Sequence, residues 1–176
     1  WGGFNVSEGP TDSATIRLEL NPDNTVTKYD TWQELGQGGD IGSVMVTLEA
    51  LKPLKLTPEQ IKLIQSDTKM CPDSGMSAGS RSHYMNGNAT ILAAEKMLNA
   101  MRKEDGTYRT YDEMIKEGLP TTFEAKFMNT VRQGLSRLDP NTGIGDPTPA
   151  FTYSLNMAEV AVDTQTGKTT VTRFVC

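Results

Sequence analysis

Leu35-Gly36-Gln37-Gly38-Gly39-Asp40 decides the reading of the fold, because the spacing of apolar residues changes across it from a period of two to a helical one. Upstream, residues 14–20 alternate, with Ile16, Leu18 and Leu20 on one face, the mark of a half-buried strand. Asn21-Pro22-Asp23-Asn24 supplies turn chemistry, and residues 25–32 read as the returning strand of a hairpin. Downstream, Val44, Leu48 and Leu51 recur at helical spacing, so a helix is expected from Ile41 to about Leu54. Thr57-Pro58-Glu59-Gln60 combines an N-cap, a proline at the first position and a capping-box glutamine, which predicts one short helical turn. Residues 61–65 alternate again and read as a strand.

A second stretch of small residues follows at Cys71-Pro72-Asp73-Ser74-Gly75-Met76-Ser77-Ala78-Gly79-Ser80-Arg81-Ser82. It precedes a long helix expected over 84–102, with Ile91, Ala94, Glu95 and Leu98 along one side. Residues 110–116 form a second capped helix, in which Asp112 and Glu113 suit the positive end of the helix dipole. Strands are expected at 122–127, 153–162 and 169–175, with Asp163-Thr164-Gln165-Thr166-Gly167 turning the last two into a pair. The Gly-, Pro- and Asp-rich stretch 133–149 reads as a long loop and a candidate sub-boundary. The fold class is α+β, with antiparallel or mixed sheets and helices packed on one face.

Composition narrows the function. The 176 residues are 36% hydrophobic and 22% charged, which suits a globular chain, while 16 glycines and 9 prolines imply much loop. A mean hydropathy of -0.44 suggests that some apolar burial is completed by surfaces outside this sequence. Net charge is -5 with no Lys/Arg run, so a nucleic acid partner is disfavoured, since phosphate binding needs a basic surface. No apolar run approaches the roughly 18 residues of a membrane span, and no basic-then-apolar leader is visible. Cys71 and Cys176 lie far apart and make no zinc-type or disulfide pattern, which fits a reducing cytoplasm. The chain opens at Trp1 without a Met and stops within a strand pattern at Cys176, as expected of a cut piece of a larger chain or a chosen boundary.

Both small-residue stretches stand at helix starts, where free N–H groups and the helix dipole favour anions. The first is no dinucleotide fingerprint, because Ile41 stands where the last glycine is required, and no Gly-Lys-Ser/Thr follows to make a P-loop. Gln37 can bind a heterocycle edge that presents both a donor and an acceptor. Ser77, Ser80 and Ser82 offer hydroxyls, and Arg81 can pair with a phosphate. Residue types alone leave open that these groups only satisfy loop backbone, and that the chain is a structural module or a phosphate binder of another kind.

Order and spacing add a resemblance. Trp32-Gln33-Glu34-Leu35-Gly36-Gln37-Gly38, a helix, Ile64-Gln65-Ser66-Asp67-Thr68, Pro72, Ser77-Ala78-Gly79-Ser80-Arg81-Ser82 and Asn86-Gly87 together resemble the molybdenum hydroxylases. That family includes xanthine dehydrogenase and aldehyde oxidase, and the bacterial aldehyde oxidoreductase type is the most similar. The resemblance covers about residues 3–176 and implies part of a molybdopterin-binding region. It implies that Leu35, Gly36, Gln37 and Gly38 contact molybdopterin cytosine dinucleotide, the molybdenum-carrying cofactor. Ser77, Ala78, Gly79, Ser80, Arg81 and Ser82 would line the same site, with Ala78 and Gly79 nearest its metal-bearing end.

The implied reaction is oxidation of an aldehyde, or a heterocycle carbon, with oxygen drawn from water. No catalytic residue and no protein metal ligand is assigned within the chain. The family's glutamate base follows a motif with no match here, and Glu8, Glu34 and Glu49 are not put in its place. Implied partners are the rest of the same enzyme, including iron–sulfur domains, an aldehyde substrate, and a second copy in a homodimer. The isolated chain is expected to be inactive. His83 is expected to cap, pack or face solvent, Cys71 to be an ordinary packed thiol, and Met45, Met97 and Met101 to fill the core. Glu104, Asp105, Asp112 and Glu113 read as acidic surface.

Overall fold

A computed structural model describes residues 12–65, 67–128, 139–145 and 154–176. The start of the strand expected from Tyr153, Glu8, and the flanks of the 133–149 loop lie outside the described residues. The chain forms two compact units, Ser7–Gly134 and Leu135–Cys176 with Trp1–Val6.

In the larger unit, β1 (Ser13–Leu20) buries every second residue, Ala14, Ile16, Leu18 and Leu20, as its alternation requires. It pairs antiparallel with β2 (Val26–Asp30) on one side and with β4 (Thr122–Met128) on the other, so that Arg17 faces both Tyr29 and Glu124. β3 (Ile61–Gln65) lies parallel to β2, which makes a mixed sheet of order β3-β2-β1-β4. Parallel pairing needs a crossover, and helix α1 (Gly39–Ala50) supplies it. α1 begins before Ile41 and ends before Leu54. Pro53 lacks an N–H, and the chain there tightens into a 3-10 turn over Lys52–Leu54. The expected turn over Pro58–Gln60 forms, with the Thr57 N–H donating to Gln60 Oε1 at 3.0 Å.

Helix α2 (Arg81–Met101) starts three residues earlier than its periodicity suggests and packs on β1, β4 and α1. Met85, Ala89, Ala93, Met97 and Met101 line its inner side, whereas Ile91 and Glu95 face outward. Truncating a fully buried methionine such as Met97 to Ala costs about 2–5 kcal/mol. Met45 is a correction: it is 57% exposed on α1, whose buried residues are Gly39, Ser43 and Thr47. Helix α3 (Tyr111–Lys116) is capped as expected, Thr110 N–H donating to Glu113 Oε2 at 2.8 Å.

The polar lining of α1 has a counterpart beneath it. Lys28 and Asp30 share the inward face of β2 and are fully buried, with Lys28 Nζ 2.8 Å from Ser43 Oγ and 3.3 Å from Asp30 Oδ2. Asp30 also accepts from the Trp32 N–H at 3.1 Å and from Gln65 Nε2 at 2.9 Å. Burial pushes the Lys28 ammonium pKa down, and Asp30 opposes that shift.

In the smaller unit, β5 (Met157–Val162) and β6 (Thr169–Val175) form an antiparallel hairpin with Met157 opposite Val175. Asp163 closes its turn, accepting from the Gln165 N–H at 2.8 Å.

Candidate functional site

The loop after β2 is shaped by its own acid. The positive φ of Gly36 (93°) and Gly38 (80°) curls the backbone so that successive N–H groups converge on the Glu34 carboxylate. Gly36 and Gly38 donate to Glu34 Oε1 at 2.7 and 3.2 Å, and Asp40 donates to Oε2 at 2.9 Å. These bonds, the one from Asp40 foremost, hold Glu34 below the usual carboxylate range. The N-terminus of α1, expected to be an open anion seat, is therefore already occupied by a carboxylate of the protein. Asp40 beside it is raised, by burial first and then by the charge of Glu34.

Gln37 braces the same loop. Its Oε1 accepts from the Leu35 N–H at 2.5 Å, and its Nε2 donates one hydrogen to the Gln33 carbonyl at 2.9 Å. The second amide hydrogen remains for another acceptor.

The second small-residue stretch is bound to the first by paired polar rungs. Thr31 N–H donates to Ser74 Oγ at 2.8 Å and Ser74 N–H returns to Thr31 Oγ1 at 3.1 Å. Gln33 and Ser77 repeat the exchange one step along, and Ser82 Oγ adds a bond to Ser77 Oγ at 2.9 Å. The loops consequently face one cleft of about 520 Å³, within the range of small-molecule sites. Leu35, Gln37, Gly38, Ser77, Ala78, Gly79, Ser80 and Ser82 all line it, whereas Gly36 and Arg81 do not.

Arg81 departs most from expectation. All five of its donors are spent on protein acceptors: Asp12 through Nε and Nη2 at 2.7 and 2.6 Å, and the carbonyls of Ser74, Met76 and Ser13 at 2.8–3.0 Å. It is 4% exposed, and the pairing lowers the Asp12 carboxyl. The guanidinium pins the second loop to the start of β1, and no donor is left for a phosphate. Gly75, at φ 75°, crosses so close over it that a side chain there would run into the guanidinium.

Four lining residues escaped the sequence reading: Trp32, Gly39, Gly42 and His83. Trp32 is 95% buried by its 5% exposure, and His83 meets its ring edge-to-face with centroids 5.7 Å apart. The benzo edge of the indole lies by Gly42, and Nε1 lies by Gly39. Trp32 falls at the end of an alternating run, where an aromatic reads as strand packing, so no local signal marked it. Among the described residues, no group of three His, Cys, Asp or Glu could hold a metal ion, and no helix is long and apolar enough to cross a membrane.

Known proteins resemble the chain in sequence and in fold. An aldehyde oxidoreductase of Megalodesulfovibrio gigas is 42% identical over 164 residues, 93% of this chain and 18% of the relative. The crystal structure of an aldehyde oxidoreductase from Desulfovibrio desulfuricans superposes with a TM-score of 0.82 at 37% identity, covering 99% of this chain and 18% of that one. A copper- and molybdenum-containing CO dehydrogenase shares the fold, with a TM-score of 0.63 at 16% identity over 97% of this chain and 24% of that one. The chain thus spans about a fifth of the length of these relatives. Residues 2–176 match the molybdopterin cofactor-binding domain, and the chain belongs to that family.

Proposed function

We propose that the chain forms one wall of the molybdopterin cytosine dinucleotide site of a molybdenum hydroxylase that oxidises aldehydes to carboxylic acids with water-derived oxygen. The observation that carries this reading is the convergence of the two small-residue loops on one cleft. When bound, the cofactor's molybdenum would supply the redox chemistry of the hydroxylation. The chain's own residues bind and orient. Gly38, Ala78 and Gly79 let a ligand approach the backbone closely, Ser80 and Ser82 offer hydroxyls, and Leu35 gives an apolar edge. Gly36 supports the site by shaping the loop, and Arg81 by anchoring it.

The proton-abstracting base belongs elsewhere in the enzyme. Glu34 is committed to backbone N–H groups, and Glu49 pairs with Lys52 at 3.1 Å on the surface. The proposed partners are accordingly the remaining domains of the same enzyme, iron–sulfur domains among them, and an aldehyde substrate. A homodimer in the cytoplasm is the proposed setting. The 176-residue chain by itself is expected not to oxidise aldehydes.

The test uses the intact enzyme that contains this chain. Gln37→Ala and Ala78→Phe should each lower its molybdenum and cytosine-nucleotide content, the first by loosening the loop and the second by filling the cleft. Full content of both in both variants would refute the assignment.

A further inference from the structure

The hairpin of the smaller unit has two unlike faces. Its register sets Ala158 opposite Phe174, Val160 opposite Val171 and Val162 opposite Thr169, and paired residues share a face. That face is apolar except for Thr169. The other is mixed, with Met157 and Val175 beside Glu159 and Arg173, which stand opposite each other. A bulge sorts the residues this way. The pairing steps from Arg173 to Val171 and skips Thr172, whose hydroxyl donates to the Glu159 carbonyl at 3.1 Å. Without the skipped residue, Thr172 would oppose Val160 and Val171 would turn to the mixed face.

The apolar face is open. Val160, Val162, Val171 and Phe174 are 50–62% exposed, although such residues in a strand normally stand against a core. Among the described residues of the smaller unit, β5 and β6 are the only strands and there is no helix to cover them. A two-stranded hairpin is marginal in water unless something packs on its apolar face. The match to the Desulfovibrio desulfuricans aldehyde oxidoreductase covers 99% of the chain, so the hairpin is part of the fold the two share.

The size of the face selects what covers it. Six residue pairs of a two-stranded ribbon span roughly 20 Å by 10 Å, a face of a few hundred Å² at most. A stable contact between separate molecules buries about 800 Å² on each partner. A smaller face suffices when its cover is tethered in the same polypeptide, because the chain already meets most of the entropy of association. The relatives are about five times the length of this chain, which leaves ample polypeptide to supply the cover.

We infer that the face formed by Ala158, Val160, Val162, Val171 and Phe174 is a docking surface, covered by an uncharged, apolar surface from another part of the same longer polypeptide. This rests on the reading above of the chain as one part of a larger enzyme, and it concerns assembly rather than the cofactor cleft.

The test uses the intact enzyme that contains this chain. Val160→Cys places a thiol on the docking face at nearly unchanged size, and peptide mass mapping follows its reaction with a maleimide. That thiol should react about tenfold or more slowly in the native enzyme than after unfolding in urea. Gln165→Cys, in the exposed turn of the hairpin, should react almost equally fast in both states. Val160→Lys, which puts a charge on the face, should leave the oligomeric state unchanged in light scattering. A native Val160→Cys rate equal to the unfolded one overturns the docking surface. So does a shift of Val160→Lys to smaller assemblies, which makes a second copy the cover. Equal protection of Val160→Cys in the 176-residue chain alone also overturns it, by placing the cover within the chain. The two readings fail separately: a reactive thiol refutes the docking surface, whereas full molybdenum content in Gln37→Ala and Ala78→Phe refutes the cofactor site.

Discussion

Gln33 and Ser77 bind each other twice: the Gln33 N–H donates to Ser77 Oγ at 3.2 Å, and the Ser77 N–H donates to Gln33 Oε1 at 2.9 Å. With the similar exchange between Thr31 and Ser74, this joins two loops more than forty residues apart into one wall. Each rung satisfies backbone N–H groups that otherwise face a half-buried interior without partners.

The rungs should be energetically coupled. Gln33→Ala removes the acceptor of the Ser77 N–H and Ser77→Ala that of the Gln33 N–H; each should cost about 1–2 kcal/mol, and the double variant less than their sum, because losing either bond loosens the rung that the other spans. Urea unfolding of the four proteins measures the coupling. Strict additivity would show that the rung contributes nothing as a unit.

Glu34 should make the first loop acid-sensitive. Its folded pKa lies below the ordinary value, so its contribution is complete above the unfolded carboxyl range and is lost as pH falls through the depressed value. Amide exchange at Gly36, Gly38 and Asp40 should accelerate over that acid window. In Glu34→Gln the acceleration should be absent, with faster exchange already at neutral pH. An unchanged acid profile in that variant would remove Glu34 as its cause.

Arg81 should tolerate no replacement. Arg81→Ala strands Asp12 and three carbonyls and should cost about 3–5 kcal/mol. Arg81→Lys keeps the charge but cannot make the forked pair, and should recover less than half of that loss. Thermal unfolding separates the two, and a lysine variant as stable as the parent would show that charge alone suffices.

Lys28 and Asp30 should behave as a buried pair. Lys28→Met leaves the Asp30 charge in the interior and should cost about 3–5 kcal/mol, while Lys28→Met with Asp30→Asn should regain most of it. Denaturant midpoints decide the matter. A double variant worse than the single one would mean that Asp30 is valued for its bonds to Trp32 and Gln65.

Local periodicity and capping chemistry determined the elements that depend on near neighbours. The alternation through Ile16 and Leu18 became β1, Thr57 with Gln60 and Thr110 with Glu113 capped the turns they announced, and Asp163 closed the hairpin of β5 and β6. Order and spacing also marked the two loops, because glycines and small residues at helix starts are local facts.

Tertiary structure alone decided how those residues are used. Local signals placed Lys28 and Asp30 in a returning strand without marking either as buried, and the packing of α1 over β2 buried both. Arg81 read as solvated or as a partner for phosphate, and Glu34 was given no role, until folding brought Asp12 and three carbonyls to the first and backbone N–H groups to the second. Trp32 read as strand packing, and only the approach of Gly39, Gly42 and His83 made it part of a cleft. The physical reason is the same in each case. A side chain's intrinsic chemistry is written in its residue type, but whether a donor, a charge or a ring stays available depends on partners distant in the chain, which only packing brings within bonding range.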